Sequence, residues 1–192
     1  MLDPNWVFLS AALGLFGSLR YAAATVAGRV QPNLVTWSLW AAAPLIAFAA
    51  QLDAGVGLPA VPTLSAGLGP LLVVAASLAS PGRRVRLGPF DLGCGAIAVV
   101  ALGVWLGLGQ APVAVFIAVA ADGVAALPTI IKAWRDPWSE QVGFYGLVGV
   151  GAVITLLTIS TWEPAAWGFA AYILVLCLGL CAIVSLRRRY LR

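Results

Sequence analysis

The stretch AAWGFAAYILVLCLGLCAIVSLRRR, residues 165–189, combines the two signals that decide the fold of this chain. Its first 22 residues carry no charged side chain, and three consecutive arginines follow them. A helix needs about 20 apolar residues to cross the hydrocarbon layer of a bilayer, and Lys and Arg are enriched in cytoplasmic segments. The stretch therefore predicts a membrane-spanning helix that ends on the inner side.

The composition of the whole chain agrees with a membrane location. Of its 192 residues, 62% are hydrophobic and only 9% are charged, whereas about 25% are charged in an ordinary soluble domain. The chain has no histidine, which excludes His-based catalysis and His-ligated metals. Cys94, Cys177 and Cys181 are interpreted as small hydrophobic residues. We therefore expect no enzyme activity, no metal or other cofactor and no nucleic-acid partner.

Seven apolar stretches have about the length of a membrane span. They cover residues 5–27, 33–52, 63–80, 90–109, 112–133, 141–160 and 165–186. If the N-terminus is outside, ten of the eleven basic residues fall on the inner side: Arg29, Arg83, Arg84, Arg86, Lys132, Arg135, Arg187, Arg188, Arg189 and Arg192. The outer side then carries Asp3, Asp53 and Glu163. This segregation predicts an all-α protein with seven transmembrane helices, N-terminus out and C-terminus in, in the cytoplasmic membrane of a bacterium.

A weak internal repeat relates the first and the fifth helix with the loops that follow them. Residues 28–33 (GRVQPN) and 134–139 (WRDPWS) each place a basic residue, a proline and a polar residue between two apolar stretches. The offset, roughly 105 to 107 residues, predicts two three-helix bundles over 1–80 and 111–192, the second with a basic cytoplasmic tail. One connector helix within 81–110 would give both bundles the same orientation, as parallel repeats.

Residues 127–132 (LPTIIK) and the following Ser139-Glu140 resemble the PQ-loop motif of the SWEET, PQ-loop and PnuC-type transporter superfamily. In that family a Leu-Pro-Gln stretch in the first helix of a bundle precedes a basic loop and a polar helix start. Here Thr129 stands where the family has glutamine, and the first helix has Tyr21 to Ala23 in place of a proline. The resemblance implies a 3+1+3 helix arrangement and transport of a small solute, whose identity it leaves open.

Asp122 is the most informative polar residue because it falls near the middle of the fifth predicted span. A carboxylate at that depth costs about 2.5–3.5 kcal/mol on insertion scales, so it needs a partner, water or a proton. It is either a substrate or proton site on a central cavity, or a structural contact between bundles. Arg20, in the inner half of the first helix, is the candidate partner, although its long side chain could instead reach the inner interface.

Aromatic residues near the inner ends of two spans are the other candidates for the site. Trp37 and Trp40, and Tyr145 in the sixth span, would form a wall against which a sugar or heterocyclic ring packs. Packing and interface anchoring are the alternative roles. Asn33 and Ser139 are expected to cap the second and sixth helices, with Glu140 in the first turn of the sixth.

These features predict a transporter of a small polar solute, sugar, vitamin-like or cationic, that works by alternating access. Its site would comprise Asp122, Trp37, Trp40, Tyr145 and Arg20, and prolines inside three helices (Pro44, Pro70 and Pro128) would favour rocking of the bundles. The expected partners are the solute and the lipid bilayer. The sequence leaves open whether the protein forms a homo-oligomer. The alternative is a non-transporting accessory or assembly subunit that binds a partner protein or lipid. A channel is disfavoured because the spans hold few polar residues.

Overall fold

The computed structural model describes residues 2–53, 61–80, 88–107, 111–160 and 164–191, which form helices and short connections. Seven α-helices follow one another in this part of the chain: α1 (Trp6–Val26), α2 (Leu34–Asp53), α3 (Val61–Ala79), α4 (Pro89–Gly107), α5 (Ala111–Arg135), α6 (Val142–Thr158) and α7 (Pro164–Tyr190). A short 3-10 turn, Pro137–Ser139, connects α5 to α6. The prediction of seven helices is confirmed, and each end lies within four residues of its predicted position.

The largest difference from the predicted bounds is at the end of α7. This helix continues through the arginines to Tyr190, because leucine and arginine are good helix formers and neither glycine nor proline interrupts them. By contrast, α5 ends at Arg135, just before Asp136-Pro137, since a following proline disfavours helical backbone at the residue that precedes it.

Contacts between loops and helix ends define one end of the array, here called the basic end. The amide of Gln31, between α1 and α2, donates to the carbonyl oxygen of Ser139 at 2.8 Å. Nε of Arg187, near the end of α7, donates to the carbonyl oxygen of Trp134 in α5 at 3.0 Å. The ends of α1, α5 and α7 therefore lie together, and this end carries Arg29, Lys132, Arg135, Arg187, Arg188 and Arg189.

The neighbours of each helix follow a regular pattern within the described residues. Helix α3 packs against both α1 and α2, and α7 packs against both α5 and α6. Two further contacts, α1 with α6 and α2 with α5, join these groups, while α4 packs against α5 and α2. The consecutive helices α1 and α2 contact each other through the side chains of Tyr21 and Trp37.

Small residues allow some of these helices to approach closely. A Cβ atom on Gly67 of α3 would lie 2.7 Å from Cγ of Leu45 and 3.1 Å from the carbonyl oxygen of Ala41, both in α2. Between α1 and α6, a Cβ on Gly151 would lie 2.8 Å from Oγ of Ser10. These separations leave no room for a methyl group, so the packing distances depend on glycine.

We expect Gly67→Ala to lower the free energy of unfolding by about 1–3 kcal/mol, because Leu45 and the α2 backbone must move to admit the methyl group. Gly14→Ala in α1 is the matched control, since a Cβ there meets nothing within 4 Å. The thermal unfolding midpoint of Gly14→Ala should stay the same or rise, because alanine has a higher helix propensity than glycine. Thermal unfolding of the purified variants in detergent measures both effects, and equal midpoints would show that α3 does not need its close approach to α2.

The outer surface of the array is apolar. Leu78, Val100 and Val175 are 67%, 66% and 70% exposed, respectively. Among the described residues, three helical segments are long and apolar enough to cross a membrane: Trp6–Val26, Val61–Ala79 and Ala166–Tyr190. Shorter apolar segments occur at Leu34–Ala49, Pro89–Val100 and Val142–Thr158. These properties are consistent with a membrane protein, whose outer side chains face lipid rather than water.

Some charged residues of the predicted pattern lie outside the described residues. These are Arg83, Arg84, Arg86, Glu163 and Arg192.

Candidate functional site

Asp122 lies near the middle of α5, as its position in the predicted span suggested. It is the twelfth residue of the 25-residue helix, and its side chain is partly buried. Oδ2 accepts a hydrogen bond from the hydroxyl of Tyr172 in α7 at 2.7 Å. Neither Lys nor Arg forms an ion pair with Asp122 among the described residues. The carboxylate thus has one neutral hydrogen-bond donor and no cationic partner in this part of the chain.

The helix beside Asp122 is α2, which runs antiparallel to α5. The buried hydroxyl of Thr36 donates to the carbonyl oxygen of Ala125 at 2.6 Å and aligns the two helices. One turn further along α2, the indole N–H of Trp40 faces the Asp122 carboxylate, in a looser geometry than a direct hydrogen bond. Asp122 therefore sits where α2, α5 and α7 meet.

Trp37 is at the centre of an aromatic cluster beside this point. Its ring centroid lies 4.5 Å from that of Tyr21, 5.0 Å from that of Phe144 and 5.4 Å from that of Trp40. Trp37 is the largest of the fully buried side chains. Tyr145 extends the cluster, with its ring 5.1 Å from Phe144. Side chains of α1, α2 and α6 thus meet in one aromatic core.

Three buried polar atoms of α2 and α5 lack hydrogen-bond partners among the residues that the structure describes. They are Nε1 of Trp37, Nε1 of Trp40 and Oγ1 of Thr129. An unsatisfied buried donor costs about 1–3 kcal/mol, so such groups are rare unless a water or ligand completes them. Thr129 lies about two helical turns from Asp122 along α5, so we call Asp122, Trp40, Trp37 and Tyr172 the Asp122 site.

A second buried carboxylate lies at the basic end and has many partners. Glu140 is fully buried, and its Oε1 forms an ion pair with Nζ of Lys132 at 2.8 Å. Its Oε2 accepts hydrogen bonds from the hydroxyls of Tyr21 and Tyr145, each at 2.7 Å. We call these four residues the Glu140 cluster. Because the tyrosines come from α1 and α6 and the lysine from α5, the cluster connects three helices.

Main-chain contacts extend the connections of the Glu140 cluster. The ammonium of Lys132 also donates to the carbonyl oxygen of Gln31, in the loop between α1 and α2. From α7, Nη2 of Arg188 donates to the carbonyl oxygen of Glu140 at 2.6 Å, and its Nε donates to that of Pro137 at 3.0 Å. The cluster therefore ties both three-helix groups together at the basic end.

The prediction for the start of α6 is wrong. Ser139 does not cap this helix; its hydroxyl donates to the carbonyl oxygen of Asp136 at 2.6 Å, within the 3-10 turn. The residue that precedes α6 is Gln141, and Glu140 lies before the helix rather than in its first turn. The extra 3-10 turn shifts the helix start along the chain and directs Glu140 into the core. The corresponding prediction for Asn33 is confirmed, since its Oδ1 accepts from the amide of Thr36 at 3.2 Å.

The five residues predicted for the site separate into three places. Asp122 and Trp40 lie together, with Trp37 adjoining. Tyr145 belongs to the Glu140 cluster instead. Arg20 is exposed, with its guanidinium 5.9 Å from the ring centroid of Phe16. The carbonyl oxygen of Arg20 accepts from Nε2 of Gln141 at 3.4 Å, so Arg20 lies near the basic end, where its long side chain can reach the polar interface.

Tyr172 is a member of the site that sequence reasoning missed, whereas Thr129 carries an unsatisfied buried hydroxyl further along α5. Tyr172 was visible as a phenol within the apolar α7, and Thr129 as the residue that replaces the glutamine of the PQ-loop motif. Either could have been flagged as a polar group in an apolar span. Whether Tyr172 faces Asp122 depends on how α7 is rotated against α5, and neither helix specifies that rotation alone.

The fold and this site define an all-helical protein with helices of membrane-spanning character and a polar site buried between them. No protein-family model, curated protein or solved structure matches the chain.

Proposed function

We propose that this protein is a membrane carrier for a small polar solute, in which all seven helices cross the bilayer as two parallel three-helix bundles and a connector. The packing supports this arrangement, because α3 lies against α1 and α2 as α7 lies against α5 and α6. The contacts of α1 with α6 and of α2 with α5 are the reciprocal pair that a repeat about a two-fold axis produces. The basic end then faces the cytoplasm of a bacterial cell, with the N-terminus outside.

The observation that carries the proposal is the unsatisfied polarity of the Asp122 site. The Asp122 carboxylate lies between α2, α5 and α7 with one direct hydrogen-bond donor, Tyr172, and the indole N–H groups of Trp40 and the adjoining Trp37 lack hydrogen-bond partners among the described protein atoms. Polar groups inside a membrane segment are costly and mark substrate or ion pathways. A solute that hydrogen-bonds to these groups would offset that cost.

Alternating access requires that each end of the molecule can open. At the basic end, the Glu140 cluster joins the two bundles, since Tyr21 and Gln31 belong to the first and Lys132 and Glu140 to the second. At the opposite end, α1 and α6 are joined by the hydroxyl of Ser10, which donates to the carbonyl oxygen of Gly151 at 2.9 Å. In the proposed cycle, one of these junctions separates while the other holds.

Proline-containing helices supply the flexibility for this motion. Pro44, Pro70 and Pro128 lie inside α2, α3 and α5 respectively. Each lacks the N–H that would continue the helical hydrogen bonding, so the helix can bend there at low cost.

We expect Asp122→Asn to reduce solute binding and uptake by about 10- to 100-fold, since a hydrogen bond to a charged group contributes about 1.5–3 kcal/mol. Uptake is measured in proteoliposomes and binding by ligand-dependent thermal stabilisation. Asp3→Asn is the matched control, because Asp3 is exposed at the opposite end of the molecule and should tolerate the change. Folded yield should be similar for both variants.

Two results would contradict the carrier. Loss of folded protein in proportion to the loss of activity would assign Asp122 a structural role between helices. Failure of every solute to bind or cross the membrane, combined with co-purification of a stoichiometric partner protein, would favour the accessory-subunit alternative.

A further inference from the structure

The carboxylates of Glu140 and Asp122 differ in how their charge is balanced within the described residues. Glu140 has the ammonium of Lys132 at 2.8 Å and two tyrosine hydroxyls. Asp122 has the hydroxyl of Tyr172 alone as a direct hydrogen-bond donor in the described structure. A carboxylate in apolar surroundings needs a counter-charge or several hydrogen bonds. The protein supplies these for Glu140 and leaves Asp122 without them.

The surroundings of Asp122 suit a cation. The hydroxyl of Tyr172 and the indole N–H of Trp40 point to the carboxylate, so two aromatic side chains adjoin it, and Trp37 packs against Trp40. Aromatic faces attract positively charged groups, and the attraction is strongest for tryptophan and for sites removed from water. The one candidate cation that the sequence suggested, Arg20, is exposed on the surface of α1 instead. No Lys or Arg of the described residues supplies a positive charge to Asp122, so a cationic solute would balance the carboxylate.

The other unsatisfied atoms specify a second feature of the solute. An indole N–H only donates, so Nε1 of Trp37 needs an acceptor, and Nε1 of Trp40 has only its loose contact with the Asp122 carboxylate. These residues are three positions apart in α2, which places them about one helical turn, or about 5 Å, from each other along the axis. A small molecule with an oxygen acceptor a few bonds from its positive charge would reach both Asp122 and an indole N–H.

We propose that the Asp122 site binds a small organic cation that also carries a hydroxyl or carbonyl oxygen. The cationic group lies against the Asp122 carboxylate and the tryptophan faces, and the oxygen accepts from the indole N–H groups of Trp37 and Trp40. This inference rests on the carrier function proposed above, and it narrows the solute to cations with an attached oxygen acceptor.

The test compares choline with its neutral carbon isostere, dimethylbutanol, by thermal unfolding of the purified full chain in detergent. The two molecules have nearly the same shape and the same hydroxyl, so charge is the variable. Choline at about ten times its Kd should raise Tm by about 3 °C or more, while dimethylbutanol leaves it unchanged. The rise should disappear in Asp122→Asn and persist in Asp3→Asn, whose altered carboxylate is exposed.

A second comparison tests the oxygen acceptor. Ethyltrimethylammonium has the charge and nearly the size of choline but lacks its hydroxyl, so we expect it to bind about 10-fold more weakly. Trp40→Phe keeps an aromatic face and removes the indole N–H. This variant should reduce the affinity for choline to about that for ethyltrimethylammonium and should change the affinity for the latter little.

The outcomes separate this inference from the carrier function. Equal stabilisation by choline and dimethylbutanol, or none by choline, ethanolamine and glycinamide, would overturn the assignment of a cation. If a neutral sugar then stabilises the wild type but not Asp122→Asn, the carrier stands and its solute is neutral. If no solute stabilises the protein and none enters proteoliposomes, both proposals fail. Binding of choline that is retained in Asp122→Asn would place the cation elsewhere.

Discussion

We expect Lys132→Met to lower the free energy of unfolding by about 3 kcal/mol, because it removes one partner of a buried ion pair. Glu140 is fully buried, whereas the Lys132 side chain is 26% exposed, so the carboxylate would keep its burial and lose its counter-charge. The hydroxyls of Tyr21 and Tyr145 would remain as hydrogen-bond donors to its side chain. Thermal unfolding in detergent should show Tm lower by about 6–12 °C.

The double variant Lys132→Met/Glu140→Gln distinguishes an unbalanced charge from lost packing. A neutral amide at position 140 removes the buried charge, so stability should recover by at least half of the loss. Arg135→Met is the matched control, because Arg135 is an exposed basic residue near the end of the same helix and its change should cost less than about 0.5 kcal/mol. Equal midpoints for Lys132→Met and Arg135→Met would show that the ion pair contributes no stability.

Trp37→Ala is expected to cost about 3–5 kcal/mol, comparable with the largest losses seen for core aromatics. Trp37 contacts Tyr21, Phe144 and Trp40 through ring centroids 4.5–5.4 Å away, so its removal opens a cavity where α1, α2 and α6 meet. The side chains around such a cavity are left without dispersion attraction on one side, and lipid does not restore it because lipid cannot enter the core. The variant should give less folded protein and a broad unfolding transition at lower temperature.

Trp134→Ala is the control for this change. Trp134 is 55% exposed and packs under the guanidinium of Arg187 at 4.9 Å, so its loss leaves no internal cavity. We expect a cost of about 1 kcal/mol or less. A Trp37→Phe variant should fall between wild type and Trp37→Ala, because phenylalanine fills part of the volume. Similar stabilities for Trp37→Ala and Trp134→Ala would contradict the role of Trp37 as the centre of the core.

The helices could be predicted from sequence because their signals are local. Apolar runs of about the length of a span, bounded by Gly, Pro and charged residues, located all seven helices, and Asn33 was identified as the cap of α2. The largest error in a helix bound is at the end of α7. The arginines end the apolar run, but arginine favours helix, so the helix continues past them. The length of an apolar run indicates the membrane span, whereas the helix propensity of the residues that follow the run determines where the helix ends.

The candidate site could be predicted only in part. Asp122 was identified because a carboxylate in an apolar run is conspicuous in any fold. Glu140 was not, since it lies in a loop beside charged residues and resembles a solvent-exposed cap. Its burial follows from the 3-10 turn and from contacts with Tyr21, which is 119 residues away in sequence. No local pattern encodes such a contact.

The sequence by itself determined that this protein is a set of apolar helices, with most basic residues predicted at one end and a carboxylate within α5. These are properties of single segments, set by hydrophobicity, helix propensity and charge. Tertiary structure alone decided that Tyr145 and Lys132 balance Glu140, that Tyr172 binds Asp122 and that Arg20 faces outward. Each of these depends on the rotation of one helix against another, and that rotation is set by packing summed over many side chains.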